Sequence, residues 1–121
     1  MLKKLGKVMD QTEFYQAKLN YETDSWDLYE ALNSGEPIVV IDARSPEAYA
    51  LEHIPTSINI PHRTMSETTT SELDKSKVYV TYCDGIGCNA STKGALNMAK
   101  LGFQVKAVSY THLTLPTKRI V

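Results

Sequence analysis

The stretch of this 121-residue chain best suited to chemistry is Tyr82-Cys83-Asp84-Gly85-Ile86-Gly87-Cys88-Asn89-Ala90-Ser91. It follows a β-type apolar run, Val78-Tyr79-Val80-Thr81, and leads into a helix-type segment from Ala90 to Leu101. A strand that stops at a cysteine, turns through two glycines and opens a helix can hold an activated thiolate. The helix N-terminus offers unpaired N–H groups and the positive end of a dipole, and both favour S⁻ over SH. Gly85 and Gly87 let the loop curl its amides around a group at the sulfur. The same cysteine would also suit the buried end of a strand, since free cysteine is among the most buried residue types. The elements around it decide between the two.

The length matches one domain with a single core. Hydrophobic content of 42% and charged content of 22% are ordinary for a globular chain. A net charge of −1 argues against a nucleic-acid partner, which needs a basic stripe. Two cysteines five positions apart cannot form a secreted-type disulfide framework. The first ten residues carry lysines with no apolar stretch behind them, so no signal peptide is expected, and no later run is long enough for a membrane span. A reducing cytoplasm is the expected location.

Asp10 or Thr12 can cap a short helix reaching Leu19, within an N-terminal helical extension over residues 1–20. Asp24-Ser25 starts a firmer helix with Trp26, Leu28, Tyr29 and Leu32 at helical spacing, which places them in the core. Asn33-Ser34-Gly35 and Pro37 end it. Ile38-Val39-Val40-Ile41 is a continuous β-branched run, the mark of a strand covered on both faces. After it, Ser45 and Pro46 can open a helix that His53-Ile54-Pro55 breaks. Asp42 and Arg44 lie where that strand gives way to loop, and an internal ion pair accounts for them. Ser57 to Pro61 reads as a second short strand, with His62 and Arg63 after it and His62 as a solvent-exposed loop residue. Residues 64–77 read as a polar loop with one helical turn near Glu72.

Asn89 is a good N-cap for the next helix, whose face is Thr92, Ala95, Leu96 and Ala99. Lys100-Leu101-Gly102-Phe103 is a Schellman-type ending, and Gln104 to Val108 reads as another strand. Strands alternating with helices at this spacing define an α/β fold, a doubly wound parallel sheet with helices on both faces. Ligands in such sheets bind at the carboxyl ends of the strands, where Asp42, His62 and Cys83 all fall.

Four stretches, in this order, resemble the rhodanese-homology domain, the fold of thiosulfate sulfurtransferases. They are Ile38 to Tyr49, His53 to Pro61, Val78 to Cys83, and Lys100 to Phe103, and the likeness covers Trp26 to Val108 within a domain over residues 21–108. The resemblance implies that Cys83 is the sulfur-carrying nucleophile. It would take the outer sulfur of thiosulfate, or of a persulfide or polysulfide, and pass it to a thiol or cyanide acceptor. Asp84, Gly85, Ile86, Gly87, Cys88 and Asn89 would line the donor site, and Asp42 and Arg44 would form a mainly structural Asp-x-Arg turn. No cofactor or metal is implied, and the partners are small molecules.

The chain also departs from the family pattern. It has Thr56-Ser57 where the family often has Gly-Ala, and Cys88 where the loop commonly carries a cation. Asp84 adds an anion that disfavours a thiolate and repels a dianionic donor, and Lys93 is the nearest following cation. Cys88 suits either a resolving thiol or plain packing against the loop.

After Val108 the family's Gly-Gly turn and closing helix with a tryptophan do not follow. Residues 108–117 resemble instead the in-frame translation of a transposase adapter used in DNA sequencing libraries. The segment 109–121 therefore reads as a non-native tail, the last helix as missing, and His112 as no catalytic base. A divergent last strand is the alternative, since Val108-Ser109-Tyr110-Thr111 could pair in a sheet. A chain given a family-type ending is expected to melt higher than this one, and equal melting temperatures would contradict that.

Other chemistries fit less well. A cysteine phosphatase or arsenate reductase needs a loop arginine for its oxyanion, and none occurs between Cys83 and Lys100. A zinc site lacks a second pair of ligands. A dithiol redox or sulfur-relay module on Cys83 and Cys88 remains an alternative, as does a non-catalytic binding domain of the same fold.

Overall fold

The structure, a computed structural model, describes residues 9–83 and 89–108. The chain order is α1 (Gln11–Tyr21), β1 (Glu22–Thr23), α2 (Ser25–Asn33), β2 (Ile38–Asp42), α3 (Pro46–Leu51), β3 (Ile58–Asn59), a 3-10 turn (His62–Thr64), β4 (Val78–Tyr82), α4 (Ala90–Lys100) and β5 (Gln104–Val108). The five strands form one sheet in the order β1-β5-β4-β2-β3, and every neighbouring pair is parallel. The strand β4 is therefore central, flanked by β2 in the register Val40↔Val80 and by β5 in the register Val80↔Lys106.

Local chemistry starts and stops the helices where the sequence predicts. Asp10 accepts from the Glu13 N–H at 2.8 Å while Glu13 accepts from the Asp10 N–H at 3.1 Å, a reciprocal capping box. Asp24 caps α2 through the Asp27 N–H at 2.7 Å, and Ser45 caps α3 through the Ala48 N–H at 3.2 Å, with Pro46 at the first helical position. At the end of α4, Gly102 takes a φ of +95°, and the Gly102 and Phe103 N–H groups donate to the Ala99 and Met98 carbonyls at 3.0 and 3.1 Å. In the polar loop the one i→i−4 bond is Thr70 N–H to the Ser66 carbonyl at 3.1 Å, slightly upstream of the expected turn near Glu72.

Alternation along the strands builds a core on each face. Ile41 and Tyr79 pack with Ile60, Met98 and Phe103 on the α4 side. Val40, Val80 and Tyr82 pack with Leu28 on the α2 side. On that second side an open groove of about 640 Å³ runs past Leu28, Ile38, Val78 and Val80.

Three expectations are corrected. The buried face of α4 is Ser91, Gly94 and Met98, not Thr92, Leu96 and Ala99; Leu96 is 53% exposed. The reason is closeness: a Cβ on Gly94 would lie 3.2 Å from both the Ala43 Cβ and the Met65 Cε, so this side of the helix approaches the sheet most tightly. Its polar members are satisfied there, with the Thr81 hydroxyl donating to the Ser91 carbonyl at 2.8 Å and the Ser91 hydroxyl to the Val108 carbonyl at 3.3 Å. Trp26 is 54% exposed, and its ring meets Tyr29 at 5.4 Å on the outside of α2 rather than entering the core. Asn89 occupies the N-cap position of α4, yet its side chain makes no capping bond. The two-residue strand β1 was not expected, being too short to carry a periodic pattern.

Candidate active site

Period-two alternation along β4 sends Tyr79 and Thr81 to the α4 side, and Cys83 continues that row just past the strand's carboxyl end. Cys83 is 8% exposed and forms one buried cluster with Ala43 and Ala90, with Met65 packed against it. Ala43 continues β2 in step with it, its N–H donating to the Tyr82 carbonyl at 3.0 Å. The sulfur thus lies between the ends of two adjacent strands and the first residue of α4. Asn89 is exposed beside it, whereas Asp84, Gly85, Ile86, Gly87 and Cys88 lie outside the described residues, as do His112 and the tail from residue 109.

A polar network anchors the strand ends under this cluster. Asp42 is 0% exposed. Its carboxylate accepts from the Arg44 side chain, Nε to Oδ1 at 2.9 Å and Nη2 to Oδ2 at 2.7 Å, and from the Arg44 N–H at 2.9 Å. This fork-to-fork geometry is the arrangement guanidinium and carboxylate prefer. Arg44 Nη2 also donates to the Glu52 carbonyl. The Asn59 amide donates to the Asp42 and Arg44 carbonyls, each at 3.0 Å, tying β3 to the turn. The expected ion pair is present, and it is one part of a larger knot.

Tyr82, which immediately precedes Cys83, completes that knot. Its hydroxyl donates to Asp42 Oδ2 at 2.7 Å and accepts from the Ile54 N–H at 3.1 Å, while the Arg44 guanidinium packs 5.6 Å from its ring centroid. Local sequence pattern gives no sign of this role for Tyr82, because its partners lie 40 and 28 residues away. The Tyr82 phenol is pushed up to about 12, first because burial disfavours phenolate; the nearby Asp42 carboxylate acts the same way, against hydrogen bonds from Ile54 and Ser57. The neutral phenol is thus favoured by folding. Its contribution is fully present below the ordinary value of 10.0 and is lost as pH rises through about 12. A spectrophotometric titration is expected to show a late tyrosine step near pH 12, absent in Tyr82→Phe.

The turn before β3 carries a backbone outlier. Thr56, a β-branched residue, has a φ of +71°. Neighbouring bonds hold it there: the Ser57 hydroxyl donates to the Ile54 carbonyl at 2.6 Å and the Tyr49 hydroxyl to the Ser57 carbonyl at 2.7 Å. Strain of this kind costs about 1–3 kcal/mol. Thr56→Gly is expected to raise stability by about 1 kcal/mol, the remainder being offset by the greater freedom of glycine in the unfolded chain. A melting temperature that falls instead would show that the threonine is not strained.

His62 is also corrected. It is half-buried rather than a solvent-exposed loop residue, its N–H donating to the Ala43 carbonyl at 3.1 Å and its carbonyl accepting from Asn97 Nδ2 of α4 at 2.8 Å. Its ring titrates below the ordinary value of 6.5, first through burial and then through the charges of Arg63 and Lys93.

A parallel sheet with a cysteine at the end of its central strand, facing a helix N-terminus, places this chain in a recognisable class. The chain belongs to the rhodanese-like family: the description "Rhodanese-like domain" matches residues 25–111. This family includes sulfurtransferases. Among solved structures the chain is similar to the BH2092 protein of Bacillus halodurans, at 48% identity over 80% of this chain and 72% of that one, with a TM-score of 0.76. It is similar at 27% identity to a rhodanese from E. coli solved with anions, over 60% of this chain and 86% of that one, with a TM-score of 0.51. A rhodanese-like domain protein from Staphylococcus aureus shares the fold at 22% identity, covering 74% and 85%, with a TM-score of 0.65. No curated protein matches. Among the described residues no helix is long and apolar enough to cross a membrane.

Proposed function

We propose that the protein is a sulfurtransferase that carries sulfane sulfur as a persulfide on Cys83. The observation that carries this reading is the position of Cys83, packed with Ala43 and Ala90 between the end of the central strand and the start of α4. A thiolate there is favoured by the helix dipole and by first-turn N–H groups that the Asn89 side chain does not take up. With thiosulfate, the Cys83 thiolate attacks the outer sulfur. A Cys83 S–S bond forms, the donor S–S bond breaks, and sulfite leaves with the electron pair. An acceptor thiolate then attacks the outer sulfur of the persulfide and departs as a new persulfide, returning Cys83 as thiolate; cyanide in the same role leaves as thiocyanate. Persulfides and polysulfides serve as donors by the same displacement. Amides of Asp84 to Asn89 cradle the donor, and Asp42 and Arg44 hold the strand ends rather than touch it. The reducing cytoplasm, where acceptor thiols are maintained, is the compartment this chemistry suits.

The test is intact mass after treatment with thiosulfate and, separately, with a polysulfide. Gain of one sulfur, discharged by cyanide with release of thiocyanate, is the expected result. Loss of two hydrogens that needs both Cys83 and Cys88 would favour the dithiol relay instead. No change with either donor would favour the binding-domain reading.

A further inference from the structure

The groove on the α2 side of the sheet takes no part in the chemistry at Cys83. It runs past Ile38 and Val78, the first residues of β2 and β4, whereas Cys83 follows the last residue of β4. Its floor is apolar, with Leu28 and Val80 buried, and its outer wall carries Leu19 of α1, which is 75% exposed. The rim is acidic. Glu22, Asp27, Glu30 and Glu36 line it against one lysine, Lys106, among the described residues. Glu22 is paired with Lys18 at 3.0 Å, but Asp27, Glu30 and Glu36 are exposed and have no ion-pair partner among the described residues. An apolar floor under an acidic rim selects an occupant that combines apolar side chains with cations. The chain itself holds such a segment: Met1-Leu2-Lys3-Lys4-Leu5-Gly6-Lys7-Val8 carries three lysines among apolar residues and no acid. It joins α1 through Met9 and Asp10. Tyr15, 58% exposed, shares a helix face with Leu19 four residues on, an apolar track from that end of α1 toward the groove. Gln11 to Leu19 spans about 12 Å of helix, and a stretch as long as residues 1–8 reaches about 26 Å when extended.

We propose that residues 1–8 dock in this groove of their own chain, with Lys3, Lys4 and Lys7 against Asp27, Glu30 and Glu36 and the two leucines over Leu19 and the apolar floor. The tether through α1 holds the segment at an effective concentration on the order of millimolar, far above that of a second copy in dilute solution. The groove sits at the opposite end of β4 from Cys83, so the inference goes beyond the sulfur-carrier reading and does not depend on it.

The experiment is zero-length carbodiimide coupling of the full chain in dilute solution, with the linked peptides mapped by mass spectrometry. Lys3, Lys4 or Lys7 is expected to couple to Asp27, Glu30 or Glu36 within one chain, severalfold more than to Glu47 of α3, which is also exposed but outside the groove. Added salt lowers that coupling, since the pairs are open to solvent. Glu30→Lys with Glu36→Lys removes most of it, and adding Lys3→Glu, Lys4→Glu and Lys7→Glu restores coupling in the reversed sense. Leu2→Asp with Leu5→Asp keeps every lysine, yet is expected to lower the coupling and to raise fluorescence of the apolar dye ANS severalfold by uncovering the floor. Coupling spread evenly over the exposed acids, or unchanged in the leucine variant, would overturn the inference. So would groove links found only between chains, which give the groove to a second copy, or links from Lys118, which give it to the other end of the chain.

Discussion

Cys83→Ser takes up no sulfur from thiosulfate or polysulfide, while Cys88→Ser still gains one sulfur per chain. A serine hydroxyl is far less acidic than a thiol and forms no stable bond to sulfane sulfur, so loss of loading is complete rather than graded. The substitution removes little else. Cys83 packs against small neighbours, Ala43 and Ala90, and against Met65, a flexible side chain that can adjust to the smaller oxygen. The variant should therefore keep its circular dichroism spectrum and melt within a few degrees of the wild type. Sulfur uptake that survives in Cys83→Ser would move the carrier to another residue, and loss in Cys88→Ser as well would make the pair the functional unit.

Asp42→Ala is expected to be the most destabilising single change in the network beneath the site, by about 3–5 kcal/mol. Asp42 is fully buried, and its partner Arg44 has a side chain only 14% exposed. Deleting the carboxylate strands the guanidinium in a poorly solvated position and removes the acceptor for the Arg44 N–H and the Tyr82 hydroxyl. Urea denaturation would measure the loss, and a cost below about 1 kcal/mol would show that the pair contributes no more than an exposed one. Because Tyr82 leads directly into Cys83, loosening this knot should also slow sulfur loading in the folded fraction. Tyr82→Phe keeps the ring under Arg44 but takes the acceptor from the half-buried Ile54 N–H and one of the donors from Asp42 Oδ2, which keeps its Arg44 bond, a cost of about 1–3 kcal/mol.

What was legible beforehand is mostly what short-range chemistry encodes. The run Ile38 to Ile41 declares a strand covered on both faces, because both its neighbours and both its sides are protein. Asp10, Asp24 and Ser45 announce helix starts because a side-chain oxygen need reach only three residues along to find an N–H. Gly102 and Phe103 announce an end for a similar reason. Placing Asp42 and Cys83 at one sheet edge followed from the order of these elements.

The failures have the opposite character. Helical spacing offered Thr92, Ala95, Leu96 and Ala99 as the inner face of α4, but hydrophobicity was outweighed by how near Gly94 lets the helix come to Ala43. Trp26 fits the same spacing as Leu28, yet only Leu28 meets the sheet.

The sequence by itself therefore determined the parallel α/β architecture, the strand-to-helix placement of Cys83 and the pairing of Asp42 with Arg44, since each rests on residues within a turn or on element order. Only the tertiary structure decided that Tyr82 closes the knot under the cysteine, that Thr56 holds a left-handed turn, and that the His62 carbonyl is tied to Asn97 of α4. Those relations join residues up to 40 positions apart. Nothing in local propensity distinguishes them until packing brings the segments into contact.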